Sequence, residues 1–386
     1  MAYSFTLDDV AFLRSPEGVA ALRACGGLEL TDRSRLHDVS AAREAVGERA
    51  AAVLETLLLR RRTPAKLLDA DEWLFTDEAL QQASPTVVAR HRAQRLAGRD
   101  VHDVTCSIGA DLAELARVAD RCVGSDVDPV RLAMARHNCP GTTVLRADAL
   151  RPVTRGAVVV ADPARRDAGG RRTWRPADFA PPLDAIAQTY AGRDLVVKCA
   201  PGIPPEAVPW AVERELVSLD GQVREACLWT GSLATMSRRA TVLRGDGKSW
   251  TLTDAEPDDC PVAEPGEWLI DPDGAVVRAG LVRQYAARHG LWQLDERIAY
   301  LCGDQPPPAV RAFRVREFGH YREKDLRAAL RRLDVGRVEI LVRGLDVDPN
   351  TLRRRLKPRG DAEATVVLTR IGRSPTAFVC TAARIS

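Results

Sequence analysis

Four short apolar runs between Val101 and Pro163, each closed by a loop carrying an acidic residue, restrict what this 386-residue chain can fold into more than any other stretch. They read VHDVTCSIGADLAELAR, CVGSDVDPVRLAMARHN, TTVLRADAL and GAVVVADPARR. The first two pass directly into segments with apolar residues at helical spacing, and the fourth ends in Asp-Pro. Strand, loop and helix repeated in this way predict an α/β fold with a doubly wound parallel sheet. Such a sheet places its ligands in the loops at the carboxyl ends of its strands.

The first loop holds Thr105, Cys106, Ser107, Ile108, Gly109 and Ala110 ahead of a helix starting near Asp111. Small residues before a helix amino terminus let a ligand approach unpaired N–H groups closely. A dinucleotide fingerprint needs three glycines here and only Gly109 is present, which disfavours NAD or FAD. A nucleoside carrying a carboxylate and an amine asks less of this turn. Asp126 closes the second strand, where an open α/β site places a carboxylate for two ribose hydroxyls. Asp148 closes the third, within reach of an adenine amino group, and Asp162-Pro163 closes the fourth, facing a reaction centre. Any one of these acids could simply cap a helix; four at consecutive strand ends point to a site.

With these residues the chain resembles class I S-adenosylmethionine-dependent methyltransferases. DVTCSIGAD is similar to their first motif, GSDVDP to the ribose-binding motif, ADAL to the adenine-binding motif and ADPAR to the catalytic motif. The resemblance implies a Rossmann-like, seven-stranded class I methyltransferase domain with S-adenosyl-L-methionine as cofactor. It assigns Asp103, Cys106, Ser107, Gly109, Asp126, Val127, Asp148 and Ala149 to the cofactor, and Asp162 and Pro163 to catalysis. Ser107 stands where many members have another glycine. Within the superfamily, SPTVVARHRAQRL together with the first two motifs looks closest to RNA-modifying enzymes such as the cap trimethylguanosine synthases.

Two chemistries stay open. Amino-methylating relatives carry Asp, Asn or Ser, then Pro-Pro and an aromatic; here Ala164 and Arg165 replace the second proline and the aromatic. Asp162 and the Pro163 carbonyl could still orient an amine, with Trp174 as substitute for the missing ring. The fifth strand, RDLVVKCAPGIP, resembles the 5-methyluridine enzymes instead, whose nucleophilic cysteine adds to carbon 6 of the pyrimidine; Cys199 would take that part. Lys198 beside it could lower a thiol pKa, although neighbouring strand residues point to opposite faces. The loop after the catalytic motif, ARRDAGGRRTWRP, suits phosphate contact through Arg165 and Arg166 and base stacking through Trp174.

Around this domain the pattern changes. Residues 1–84 read as helical throughout and are expected to form an N-terminal helical domain, with Trp73 and Phe75 more readily core than a stacking platform. Residues 85–245 make the methyltransferase domain, with REACLWTG and RRATVLRG as its last two strands. Residues 246–309, rich in Pro, Gly and Asp, read as a connecting segment. Residues 310–386 alternate strand and helix and resemble a small α/β THUMP-like domain. From residue 311 onward there are 18 Lys/Arg against 9 Asp/Glu, whereas the whole chain is only +3, so residues 1–310 are six charges acidic. A basic appendage on an acidic body is the footprint of a nucleic-acid partner, tRNA or rRNA.

The chain is expected to be cytoplasmic. Nine cysteines with no C-x-x-C pair suggest neither a disulfide framework nor a zinc site, and no eighteen-residue apolar run suggests a membrane. The expected activity is methyl transfer to RNA, with a purine amino group favoured. The alternatives are pyrimidine methylation through Cys199, an RNA-binding protein that has lost catalysis, and a small-molecule methyltransferase.

Overall fold

The computed structural model describes residues 3–164 and 175–383. The chain falls into two compact units, one of residues 1–219, 225–235 and 243–248, the other of 220–224, 236–242 and 249–386. Arg165, Arg166 and Trp174 lie outside the described residues.

In the first unit, helices α1 (Leu7–Leu13), α2 (Pro16–Cys25), α3 (Arg35–Val46) and α4 (Ala50–Arg62) are started by local signals. Thr6 and Asp9 form a capping box on α1, and Ser15 caps α2 with Pro16 in its first turn. Their apolar faces close on a core that also includes Leu74, Phe75, Ile108 and Met134. The expected helical domain of residues 1–84 therefore shares its core with the domain that follows. Phe75 is buried in that core and Trp73 packs against it, as the sequence favoured.

After α5 (Asp77–Gln82) and α6 (Thr86–Gln94) the sheet begins: β1 (Asp100–Asp103), α7 (Ala110–Ala116), β2 (Arg121–Asp126), α8 (Pro129–Asn138), β3 (Thr143–Arg146), β4 (Val158–Ala161), α9 (Leu183–Thr189) and β5 (Leu195–Cys199). Then come β6 (Glu213–Leu219), β7 (Gln222–Trp229), β8 (Arg238–Leu243) and β9 (Ser249–Thr253). The strand order is β3-β2-β1-β4-β5-β7-β6-β8-β9. β1 to β5 pair in parallel and β7 runs antiparallel to β5. The first seven strands are those expected of the class I fold, with two more in the sheet.

REACLW is indeed an antiparallel strand, but its partner at the end of the seven is β6, not RRATVLRG, which forms β8. The sequence hid β6 because Glu213 and Glu215 interrupt its apolar alternation, and both are fully buried. Arg95 pairs with both carboxylates, and the His91 ring and the Trp229 indole N–H reach Glu215. A carboxylate enters a core only with such partners.

The second unit carries a sheet of order β11-β12-β10-β13-β16-β15-β14. Its strands are β10 (Trp268–Asp271), β11 (Trp292–Gln293), β12 (Leu301–Gly303), β13 (Arg311–His320), β14 (Val335–Val342), β15 (Ala362–Ile371) and β16 (Ser374–Ala383). Residues 246–309 thus supply β10, β11 and β12 to the sheet of the C-terminal region, which is more than connection. Helices α12 (Glu323–Arg332) and α13 (Pro349–Leu356) bury Leu326, Leu330, Leu352 and Leu356 with Val366, Leu368 and Val379. Among the described residues no helix is long and apolar enough to cross a membrane.

Candidate active site

The carboxyl ends of β1, β2 and β4 open on a cavity of about 470 Å³ lined by Asp103, Cys106, Ser107, Asp126, Val127, Asp148, Ala149 and Asp162. The sequence assigned each of these to the site, and the fold brings them to one wall because each follows a parallel strand. Gly109, the ninth, works behind the wall. Its φ is +92°, and a Cβ added there would lie 2.5 Å from the Cys139 Sγ. Glycine is required both by the left-handed turn and by the close approach of α8. Ser107, in the expected second glycine's place, adopts φ +49° with a side chain.

Hydrogen bonds fix the wall. The Asp126 carboxylate accepts from the Ser107 and Asp128 backbone N–H groups, at 3.0 and 2.9 Å, and so ties the first loop to the second. Asn138 braces the loop from below: its side chain donates to the Ile108 and Leu74 carbonyls and accepts from the Leu74 N–H, each at 2.9 Å. Asp103 is buried and accepts from the Thr105 N–H at 3.1 Å. Burial pushes its carboxyl well above the usual range, and the charges of Asp111, Asp162 and Asp126 push the same way. The Cys106 thiol is likewise pushed far up, by burial and then by Asp103 and Asp126, so it is a neutral wall residue rather than a nucleophile. Asp148 accepts from the Leu150 N–H, and the Ala149 carbonyl accepts from the Tyr190 hydroxyl at 2.7 Å.

At the fourth strand end, the Asp162 N–H donates to the Thr105 Oγ1 at 2.6 Å, and Asp162 Oδ2 accepts from Lys198 Nζ at 2.5 Å. Pro163 is buried behind Asp162, and Ala164 is bridged in antiparallel fashion to Ala180. Cys199 takes the face of β5 opposite to Lys198: it is fully buried, and it is not among the described residues that line the cavity.

A cluster of buried charge stands behind Asp162. Arg92 on α6 pairs with Asp111 at 3.0 Å and Glu225 at 2.5 Å, and Ser84 accepts from Lys198 at 2.9 Å. Burial raises and the cations of Arg92 and Lys198 lower the Asp111 pKa, which ends below the ordinary value. Sequence reading assigned no site role to Ser84, Arg92, Thr105, Asp111, Arg131 or Glu225, and no ion pair to Lys198. The signal that could have found part of this set is a lysine and a glutamate inside otherwise apolar strands, LVVKC and REACLW. Among the described residues no group of three or more His, Cys, Asp or Glu side chains could hold a metal.

Two uncharacterised S-adenosylmethionine-dependent methyltransferases of Mycobacterium tuberculosis, from strains CDC 1551 and H37Rv, are each 55% identical to this chain over 357 residues, covering 88% of it and 99% of the relative. The chain belongs to the S-adenosylmethionine-dependent methyltransferases. Such an enzyme uses S-adenosylmethionine as its cofactor. Residues 310–382 match a THUMP domain-like family, and residues 6–63 match a domain of unknown function (DUF8688). The fold is shared with a crystal structure of a protein described as a methyltransferase from Porphyromonas gingivalis W83. That chain is 20% identical, with a TM-score of 0.77 over 99% of this chain and all of the other.

Proposed function

We propose that this methyltransferase acts on RNA and methylates a base, with the exocyclic amino group of a purine as the acceptor. The observation that carries the reading is the Asp162 carboxylate, its backbone N–H fixed by Thr105 and its Oδ2 held by Lys198, on the same cavity wall as Asp103 and Asp126. A carboxylate facing the cavity can accept a hydrogen bond from an amino group and hold its nitrogen in line, and alignment is most of what methyl transfer asks of a protein.

The residues suit the cofactor. Carboxylates accept from ribose hydroxyls and an adenine amino group, and they balance a ligand carrying sulfonium and ammonium charges. Asp126 and Val127 are assigned to the ribose, Asp148 and Ala149 to the adenine, and Asp103, Cys106, Ser107 and the turn at Gly109 to the methionine end. S-adenosylmethionine, when bound, supplies a methyl group made electrophilic by its sulfonium. Asp162 and the Pro163 carbonyl orient the acceptor, with Arg165, Arg166 and Trp174 assigned to the RNA. The THUMP domain-like match and the nine-charge basic excess after residue 310 support RNA over a small metabolite.

Calorimetric titration of S-adenosylhomocysteine, with Asp126→Ala as control, tests the cofactor assignment; binding is expected in the micromolar range and lost in the variant. Transfer of tritiated methyl groups to RNA from cells lacking the gene tests the substrate. Incorporation that falls steeply with salt is expected. Label appearing only in the small-molecule fraction would overturn the RNA reading.

A further inference from the structure

Lys198 is the one charge in a strand whose five residues are all buried. A buried ammonium is costly unless paired, so its partners give the reason for its presence. It donates to Asp162 Oδ2 at 2.5 Å and to Ser84 Oγ at 2.9 Å. The pair is asymmetric: the lysine side chain is 4% exposed and the aspartate 28%. Asp162, Ser84 and Asp111 line the cavity, whereas Lys198 stands behind them.

Among the described residues, four elements present charge to this lysine: Asp162 after β4, Asp111 on α7, Glu225 on β7 and Arg92 on α6. Two cations thus face three carboxylates, and without Lys198 one cation would face three. Burial draws the Lys198 pKa down, but Asp162, Asp111 and Glu225 outweigh it and hold the pKa above the ordinary value. Lys198 is therefore a fixed ammonium donor and cannot serve as a base near neutral pH. Ser84 accepts from it and donates to Asp111 at 3.3 Å, which ties the ammonium to α7 as well as to Asp162.

We infer that Lys198 is the positioning residue of methyl transfer: it anchors the Asp162 carboxylate on the cavity wall, balances its charge, and aims it at the acceptor. The inference rests on the assignment of Asp162 as the acceptor-orienting group. Lys198 is not among the described residues that line the cavity, so its effect would pass through Asp162.

A double-mutant cycle in the full-length chain tests this, with Lys198→Met, Asp162→Asn, the pair together, and Lys198→Arg as the conservative replacement. S-adenosylhomocysteine affinity is expected to be unchanged in Lys198→Met and Lys198→Arg. Methyl transfer, measured on RNA from cells lacking the gene and separately on their small-molecule extract, is expected to lose about 100-fold in kcat with Lys198→Met. Lys198→Arg should recover most of it, and the double variant should be no slower than Asp162→Asn alone. Losses that multiply, a Lys198→Met enzyme as fast as wild type, or cofactor affinity lost in Lys198→Met and not restored by arginine would each overturn the inference. Wild-type transfer to the small-molecule extract alone defeats the RNA reading and moves the cycle to that extract. Transfer to neither fraction overturns both.

Discussion

Gly109 illustrates how much one position can carry. A methyl group there meets the Cys139 Sγ at 2.5 Å, and the φ of +92° penalises any side chain. Gly109→Ala is expected to cost about 1–3 kcal/mol in urea denaturation and to weaken S-adenosylhomocysteine binding. Adding Cys139→Ala should recover only the steric part. His102 offers a test by pH. It is buried between Thr154 and Ser125, both at 2.9 Å, and burial, aided by Arg193, lowers its pKa to about 4. The folded state therefore holds a neutral ring while the unfolded chain takes up a proton below about 6.5. Stability falls as pH drops through 6.5, and the loss levels off below 4. From pH 7 to pH 5 this one group should remove about 2 kcal/mol, and His102→Gln should flatten that part of the profile. The acids Asp103, Asp126, Asp148 and Asp162 were legible because strand ends recur at readable intervals. The pairings of the buried charges Arg92, Asp111 and Lys198 were not, because a charge in a sequence does not disclose which distant residue it meets.

At the scale of elements, β6 shows the same limit from the other side. Its alternation is broken by Glu213 and Glu215, which only the fold supplies with Arg95, His91 and Trp229. Arg95 also lies over the Trp229 ring, 3.7 Å from its centre. Arg95→Met would take a paired cation from two buried carboxylates and is expected to destabilise the protein by about 3–5 kcal/mol, measured as a shift in the urea midpoint. A loss below 1 kcal/mol would mean that the carboxylates' remaining partners suffice. The parallel strands β1 to β4 were legible because each is a short run ending at a loop with an acidic residue, and β5 because only Lys198 interrupts its apolar run. The antiparallel end was misassigned because one of its strands carries charge inward.

For the whole molecule, the proposed RNA substrate raises the question of which part of the chain would bind it. Charge suggests the region after residue 310, yet cutting there is the wrong experiment. β10 pairs with β13 from Trp268 to Asp271, and Leu269 and Ile270 are fully buried in the sheet they share. A chain ending at residue 309 would expose that edge and is expected to aggregate, which would say nothing about RNA. Charge reversal in the intact protein isolates the electrostatic contribution. Arg354, Lys357 and Arg359 are exposed at and beyond the end of α13, and reversing all three leaves the apolar face of Leu352 and Leu356 in place. S-adenosylhomocysteine affinity and thermal midpoint should not change. The slope of log affinity for RNA against log salt should shrink by about one for each phosphate that the variant no longer neutralises. An unchanged slope would overturn the assignment of RNA binding to this region, and the arginines that follow Asp162-Pro163 would be reversed next.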